Sequence, residues 1–132
     1  MNTLIIEDDV TNGLLLQHLL KSYGPSRIAA NGKEAVEVVR LALEANKPYD
    51  VIFLDIMMPE MDGHTALRHI RALEEDAGIW PTYRAKIVMT TALLGDSNNA
   101  ASAFSSLCHA YLGKPIDKAR LLEILRQLAL IP

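Results

Sequence analysis

Short strand-like runs alternate five times with longer segments of helical periodicity along 132 residues. The strand-like runs are Leu4–Ile6, Arg27–Ala30, Val51–Leu54, Ile87–Met89 and Tyr111-Leu112. The helical segments are Thr11 to about Tyr23, Lys33 to about Ala45, a third after Asp62-Gly63, Ser97 to Ser106, and Ile116 to about Leu128. Spacing of apolar residues predicts their inward faces: Leu15, Leu16, Leu19 and Leu20 in the first, Val36, Val39, Ala42 and Leu43 in the second. The third predicts Ala66, Leu67, Ile70 and Leu73 inward, with His69, Arg71 and Glu74 outward. The last predicts Leu121, Leu122, Leu125 and Leu128 inward. The Ala/Ser/Asn-rich fourth has weaker anchors, Ala100, Ala103, Phe104 and Leu107. Gly24-Pro25 is the stop of the first helix.

Such alternation predicts an α/β fold with helices on both faces of a parallel sheet. The expected architecture is a flavodoxin-like (βα)5 three-layer sandwich with five parallel strands in order 2-1-3-4-5. Ligands of such sheets bind beyond the carboxyl ends of the strands. Asp8 and Asp9 follow the first run and Asp55 closes the third. The strand order brings these acids together across some 47 positions of sequence. Two carboxylates about 4 Å apart repel by roughly 4 kcal/mol at an effective dielectric near 20. A divalent cation removes that penalty, and Mg²⁺ suits a site of few protein oxygens with positions left for phosphate and water. Asp55 stands alone at its strand end, with Met58-Pro59 turning the chain away. It is the candidate nucleophile for attack on phosphorus, giving an acyl phosphate. Thr90-Thr91 offers a hydroxyl and Lys114 a cation at two further strand ends. Taken singly, each residue also has a plain reading: Glu7-Asp8-Asp9 as a solvated helix start, Asp55 as a turn residue, Lys114 as a surface lysine. Their joint placement on four strand ends favours chemistry.

Composition narrows the setting. Apolar residues are 50%, charged residues 22% and the net charge is −3. Scattered Lys and Arg leave no footprint for nucleic acid. No apolar segment approaches the ~20 residues needed to span a bilayer, and the N-terminus lacks the pattern of a signal peptide. The single Cys108 excludes an internal disulfide and suits a cytoplasmic setting.

The assembled motifs closely resemble the receiver domain of bacterial two-component response regulators. They are Leu4-Ile5-Ile6-Glu7-Asp8-Asp9, Asp55-Ile56-Met57-Met58-Pro59-Glu60-Met61-Asp62-Gly63, Met89-Thr90-Thr91-Ala92 and Tyr111-Leu112-Gly113-Lys114-Pro115. The resemblance covers the chain and implies a receiver domain over residues 1–132. It implies that Asp55 is phosphorylated by a sensor histidine kinase or a histidine phosphotransfer protein. Asp8, Asp55 and the main-chain carbonyl of Met57 would bind Mg²⁺ directly, Glu7 would help through water, and Asp9 becomes peripheral. Asp55, Thr91 and Lys114 would carry the chemistry, and Thr91 and Tyr111 the switch. The bond between Lys114 and Pro115 would be cis. Phosphorylation would bias the face of the fourth helix, fifth strand and last helix toward an unidentified downstream protein. A full swing from 1:99 to 99:1 needs about 5.5 kcal/mol of differential interaction. Such a domain assists its own phosphorylation and slow dephosphorylation and is not otherwise an enzyme. The sequence stops just after the last helix, predicting no output domain, and the resemblance is compatible with a homodimer.

Three departures from the family pattern carry expectations. Leu107-Cys108 stands where Gly is usual, and Gly113 where a larger strand residue is common; with the small residues of the fourth helix, they predict a short or mobile helix there. Apolar Met57 and Leu93 flank the site and predict a long-lived phosphoryl group by excluding water. The four histidines, His18, His64, His69 and His109, lack ligand grouping and predict no phosphodonor. Trp80-Pro81-Thr82-Tyr83 reads as a loop that either meets a partner or packs over the sheet edge. A phosphohydrolase with an aspartyl nucleophile would want an acid at position 57, and Met57 disfavours it. A flavin module would want a phosphate loop where Glu7-Asp8-Asp9 stands. A receiver reduced to a docking scaffold would lack part of the acid pair, Asp55, Thr91 or Lys114, all of which are present.

Overall fold

The computed structural model describes residues 1–56, 63–91 and 108–132. The predicted helix from Ser97 to Ser106 lies outside them, as do Met57 and Leu93. Five parallel strands form one sheet in the order β2-β1-β3-β4-β5. They are β1 (Thr3–Ile6), β2 (Ser26–Ala29), β3 (Val51–Asp55), β4 (Lys86–Thr91) and β5 (Ala110–Gly113). The described helices are α1 (Val10–Leu20), α2 (Gly32–Glu44), α3 (Gly63–Asp76) and the C-terminal α4 (Lys118–Gln127). The sequence-derived fold class and strand order hold.

Successive strand residues point to opposite faces, so each apolar run feeds two cores. Leu4, Ile6, Ile52, Leu54, Ile87 and Met89 pack with Ala35, Val38 and Val39 of α2 and Ala66, Leu67 and Ile70 of α3. On the opposite face Ile5, Val51, Phe53, Val88 and Leu112 pack with Leu16 and Leu20 of α1 and Leu121, Ile124 and Leu125 of α4. Each fully buried aliphatic or aromatic side chain contributes about 1.5–3 kcal/mol by leaving water. The sheet is therefore covered on both sides and presents its strand ends as the place for a ligand.

Helix boundaries follow side-chain caps. Asp9 accepts the Asn12 N–H at 3.1 Å and starts α1 one residue before the predicted Thr11. Asn31 accepts the Glu34 N–H at 2.8 Å and starts α2. Asp117 accepts the Arg120 N–H at 3.3 Å, so α4 begins after the predicted Ile116. The α-helical part of the first helix ends at Leu20 and tightens into a 3-10 turn at Lys21–Tyr23 before Gly24. Gly24 has φ +132°, and a Cβ there would sit 2.0 Å from the Met1 carbonyl oxygen, so the stop requires glycine.

Two facing assignments need correction. Leu15 is 40% exposed, because the buried stripe of α1 runs through Gly13, Leu16 and Leu20. An unbroken leucine run gives no polar residue to mark the stripe's edge. Glu74, expected outward, is 4% exposed. Its carboxylate accepts the Ala85 N–H at 2.8 Å and pairs with Arg71 at 2.5 Å. The backbone ahead of β4 is thereby satisfied by a side chain of α3. Trp80 precedes and Tyr83 closes a 3-10 turn at Pro81–Tyr83, and both are exposed, so they do not pack over the sheet edge.

Candidate functional site

Register places the chemistry. β1 pairs with β3 from Thr3 opposite Val51 to Ile6 opposite Leu54. The next residues of the two strands, Glu7 and Asp55, therefore emerge side by side. Asp55 is the last residue of β3 and stands opposite Thr90. Thr91 ends β4 opposite Gly113, and the Lys114 N–H donates to the Thr91 carbonyl at 2.9 Å. Four strand ends thus deliver Glu7, Asp55, Thr91 and Lys114 to one edge of the sheet.

Carboxylate oxygens of Glu7, Asp8 and Asp55 lie within 4.8 Å of one another. Glu7 and Asp55 are buried, at 3% and 4% exposure, whereas Asp8 is exposed. The Lys114 ammonium spans the buried pair, 2.8 Å from Glu7 Oε2 and 3.2 Å from Asp55 Oδ2. Glu7 Oε1 accepts the Asp9 N–H at 3.2 Å. Glu7 Oε2 is buried and faces the Lys114 ammonium. Burial pushes the Glu7 carboxyl above its usual 4.5; Lys114 opposes the rise and Asp55 adds to it. Burial works against the Lys114 ammonium, but Glu7 and Asp55 outweigh it and hold its pKa above 10.5. Oxygen-only, with three carboxylates against one ammonium, and buried at Glu7 and Asp55, this donor set fits a hard divalent ion such as Mg²⁺.

The structure brings Glu7, Asp8, Asp55, Thr91 and Lys114 to one edge. Asp9 turns away to cap α1, which separates the acid run into site residues and a cap. Met57 lies outside the described residues. Tyr111 is half-buried beside the α2/α3 core, and its hydroxyl meets the Cys108 thiol; burial first, then that contact, hold the tyrosine pKa above its usual range. Burial likewise raises the Cys108 thiol. The peptide bond between Lys114 and Pro115 is cis.

Sequence reasoning missed the reason for Gly63. A Cβ there would lie 2.7 Å from the Asp55 carbonyl oxygen and 3.1 Å from Ile56 Cα. The start of α3 therefore seats directly on the end of β3. The signal was visible as a glycine closing the motif that begins at Asp55, but close approach is a property of folded backbone.

The response regulator receiver domain model matches residues 3–126. A probable histidine kinase 2 of Oryza sativa is 33% identical over 135 residues; the match takes in 93% of this chain and 12% of the kinase. The chain thus spans about an eighth of that relative's length. The receiver domain of the histidine kinase CKI1 from Arabidopsis thaliana, solved with Mg²⁺, has TM-score 0.79 and 27% identity, covering 96% of this chain and 90% of that one. The co-crystal structure of the Saccharomyces cerevisiae phosphotransfer protein Ypd1 with the receiver domain of Ssk1 matches with TM-score 0.74 and 30% identity, covering 95% and 86%. No described helix is long and apolar enough to cross a membrane. The strand order, the acid edge and the family match agree, and this chain belongs to the response regulator receiver domains of two-component phosphorelay systems.

Proposed function

We propose that Asp55 accepts a phosphoryl group from a phosphohistidine of a sensor histidine kinase or a histidine phosphotransfer protein. The carrying observation is the Lys114 ammonium set between the Glu7 and Asp55 carboxylates. A carboxylate oxygen of Asp55 forms the new bond to phosphorus, and the bond from phosphorus to the donor imidazole nitrogen breaks. The leaving nitrogen keeps the electron pair and takes a proton from solvent. Glu7, Asp8 and Asp55 would hold Mg²⁺ with the Met57 carbonyl. The ion supplies charge neutralisation for phosphoryl oxygens. Lys114 pairs with a phosphoryl oxygen, and Thr91 offers its hydroxyl to another. The buried setting of Asp55 keeps bulk water from competing with the donor.

The docking of a protein donor has a surface beside the site. Val10 and Leu14 of α1 are strongly exposed, and the cap of α1, Asp9, lies two residues after Glu7. An apolar helix face adjoining the acids suits a helical donor. In this reading residues 1–132 act as one receiver domain in a cytoplasmic setting, in keeping with the lone Cys108. Movement of Thr91 toward the phosphoryl group, with Tyr111 moving inward as Thr91 moves, then biases the face of the predicted Ser97–Ser106 helix, β5 and α4 for a downstream protein.

Incubation with acetyl phosphate and Mg²⁺, followed by intact mass, tests the chemistry. The expected gain is one phosphoryl group, lost in Asp55→Asn and on chelation. Equal labelling of the Asn variant would place the acceptor elsewhere.

A further inference from the structure

β5 begins at Ala110, and the residue before it makes two hydrogen bonds to one residue of β4. The His109 N–H donates to the Ile87 carbonyl at 2.8 Å. The Ile87 N–H donates to His109 Nδ1 at 3.0 Å. The second bond replaces a ladder bond, with a ring nitrogen standing where a strand carbonyl belongs. Nδ1 accepts only in a neutral ring whose proton is on Nε2. A proton on Nδ1 would turn two N–H groups against each other and leave Ile87 without an acceptor. From this point β5 pairs Ala110 with Val88, Tyr111 with Met89, Leu112 with Thr90 and Gly113 with Thr91. Lys114 follows at once. The clamp thus sets the start of the strand that carries the switch aromatic and delivers the ammonium to Asp55.

We propose that His109 is a positioning residue: its Nδ1 pins the start of β5 to β4 and so sets where Tyr111 and Lys114 stand relative to Asp55. This rests on the phosphoacceptor reading of Asp55. The charged groups around the ring are Lys86 of β4 and Arg71 of α3, the latter paired with Glu74. Cys108 and Tyr111 lie on its own segment. Although His109 is exposed as a residue, partial burial of the ring and these two cations hold its pKa below the ordinary 6.5. The neutral clamp is therefore complete above 6.5 and is lost as pH falls from there through the lower folded value.

His109→Asn and His109→Leu separate the roles. Asn offers Oδ1 in place of Nδ1 and does not titrate; Leu offers no acceptor. In the whole chain, nitrogen-15 NMR should show the Nε2–H tautomer and a coupling between Ile87 N and His109 Nδ1. Acidification from about pH 7.5 to about 5.5 should move the Ile87 and Ala110 amide signals along one curve in the wild type, and this curve should vanish at both amides in the Asn variant. With acetyl phosphate and Mg²⁺, the Leu variant should label roughly tenfold more slowly at neutral pH. The Asn variant should match the wild type there and lose less in acid. An Nδ1–H tautomer at neutral pH, or acid shifts of the Ile87 and Ala110 amides that persist in the Asn variant, overturns the proposal. Should the Leu variant fail to fold, the Asn comparison decides. A wild type that shows the expected NMR behaviour but takes no phosphoryl group overturns the phosphoacceptor reading, while the clamp on β5 stands.

Discussion

Lys114 Nζ lies 2.8 Å from Glu7 Oε2, joining the residue just beyond β1 to the residue just beyond β5 across the width of β3 and β4. The same ammonium reaches Asp55 at 3.2 Å. One cation thus balances two buried carboxylates, which would otherwise repel in a poorly solvated place.

Lys114→Met should lower stability to urea at neutral pH by roughly 1–3 kcal/mol, because it strands two buried acids. The figure is below that for a fully buried pair, since Lys114 is partly exposed. Mg²⁺ should restore part of the loss. In the wild type the Lys114 contribution is complete below 10.5 and disappears as pH rises through its raised folded value. An unchanged unfolding midpoint in the Met variant would remove Lys114 as the counter-ion.

Mg²⁺ affinity should fall on acidification from a higher pH than an ordinary carboxylate would give. Glu7 has a pKa raised above 4.5 by burial and must lose its proton to bind the ion. Calorimetry in two buffers of different ionisation enthalpy should show proton release in mildly acidic solution and none at neutral pH. Affinity that does not change between them argues against Glu7 as a ligand.

Gly63→Ala should slow Asp55 labelling by acetyl phosphate on the order of a hundredfold, because displacement of a reacting group by about 1 Å has that effect. The added methyl would meet the Asp55 carbonyl oxygen at 2.7 Å, so the end of β3 or the start of α3 must shift. Circular dichroism should stay native, with overpacking costing about 1–3 kcal/mol. Labelling at the wild-type rate would show that the strand end yields without moving the carboxylate.

Glu74→Ala should destabilise the fold by about 1–3 kcal/mol and leave labelling of Asp55 unchanged. It removes the acceptor of the Ala85 N–H and the partner of Arg71, far along α3 from the acid edge. Thermal unfolding and the mass assay on one preparation check both halves. Wild-type stability would mean that water replaces the carboxylate at Ala85.

The phosphoryl group on Asp55 should persist for minutes rather than seconds. Met57 and Leu93 place apolar bulk two residues beyond Asp55 and Thr91 in sequence, where a polar side chain would help water attack. Met57→Asn should shorten the lifetime, followed by intact mass after removal of donor.

Much of this site is legible in the sequence. Asp55, Thr91 and Lys114 each follow an apolar run, and a parallel sheet puts the carboxyl ends of such runs together. Glu7 was less legible than Asp9 from charge alone, because both lie in one acidic run. Capping geometry separates them: Asp9 turns to the Asn12 N–H while Glu7 turns inward. Glu74 and His109 were illegible. A charged or polar residue on a helix or at a strand start reads as solvent-facing until a neighbouring element presents a backbone N–H that needs an acceptor. Ala85 and Ile87 supply those N–H groups from elements distant in sequence.

Order along the chain determined the strand and helix alternation, the five-stranded sheet and the set of candidate site residues, because residue periodicity and strand ends are local properties. Tertiary structure alone decided which acid faces Lys114, why position 63 must lack a side chain, and that a histidine ring completes a β-ladder. Those outcomes depend on distances of a few ångströms between separate elements of the fold. Charge and hydrogen-bond energies at such separations take their values only once the packing of the sheet has set the gaps.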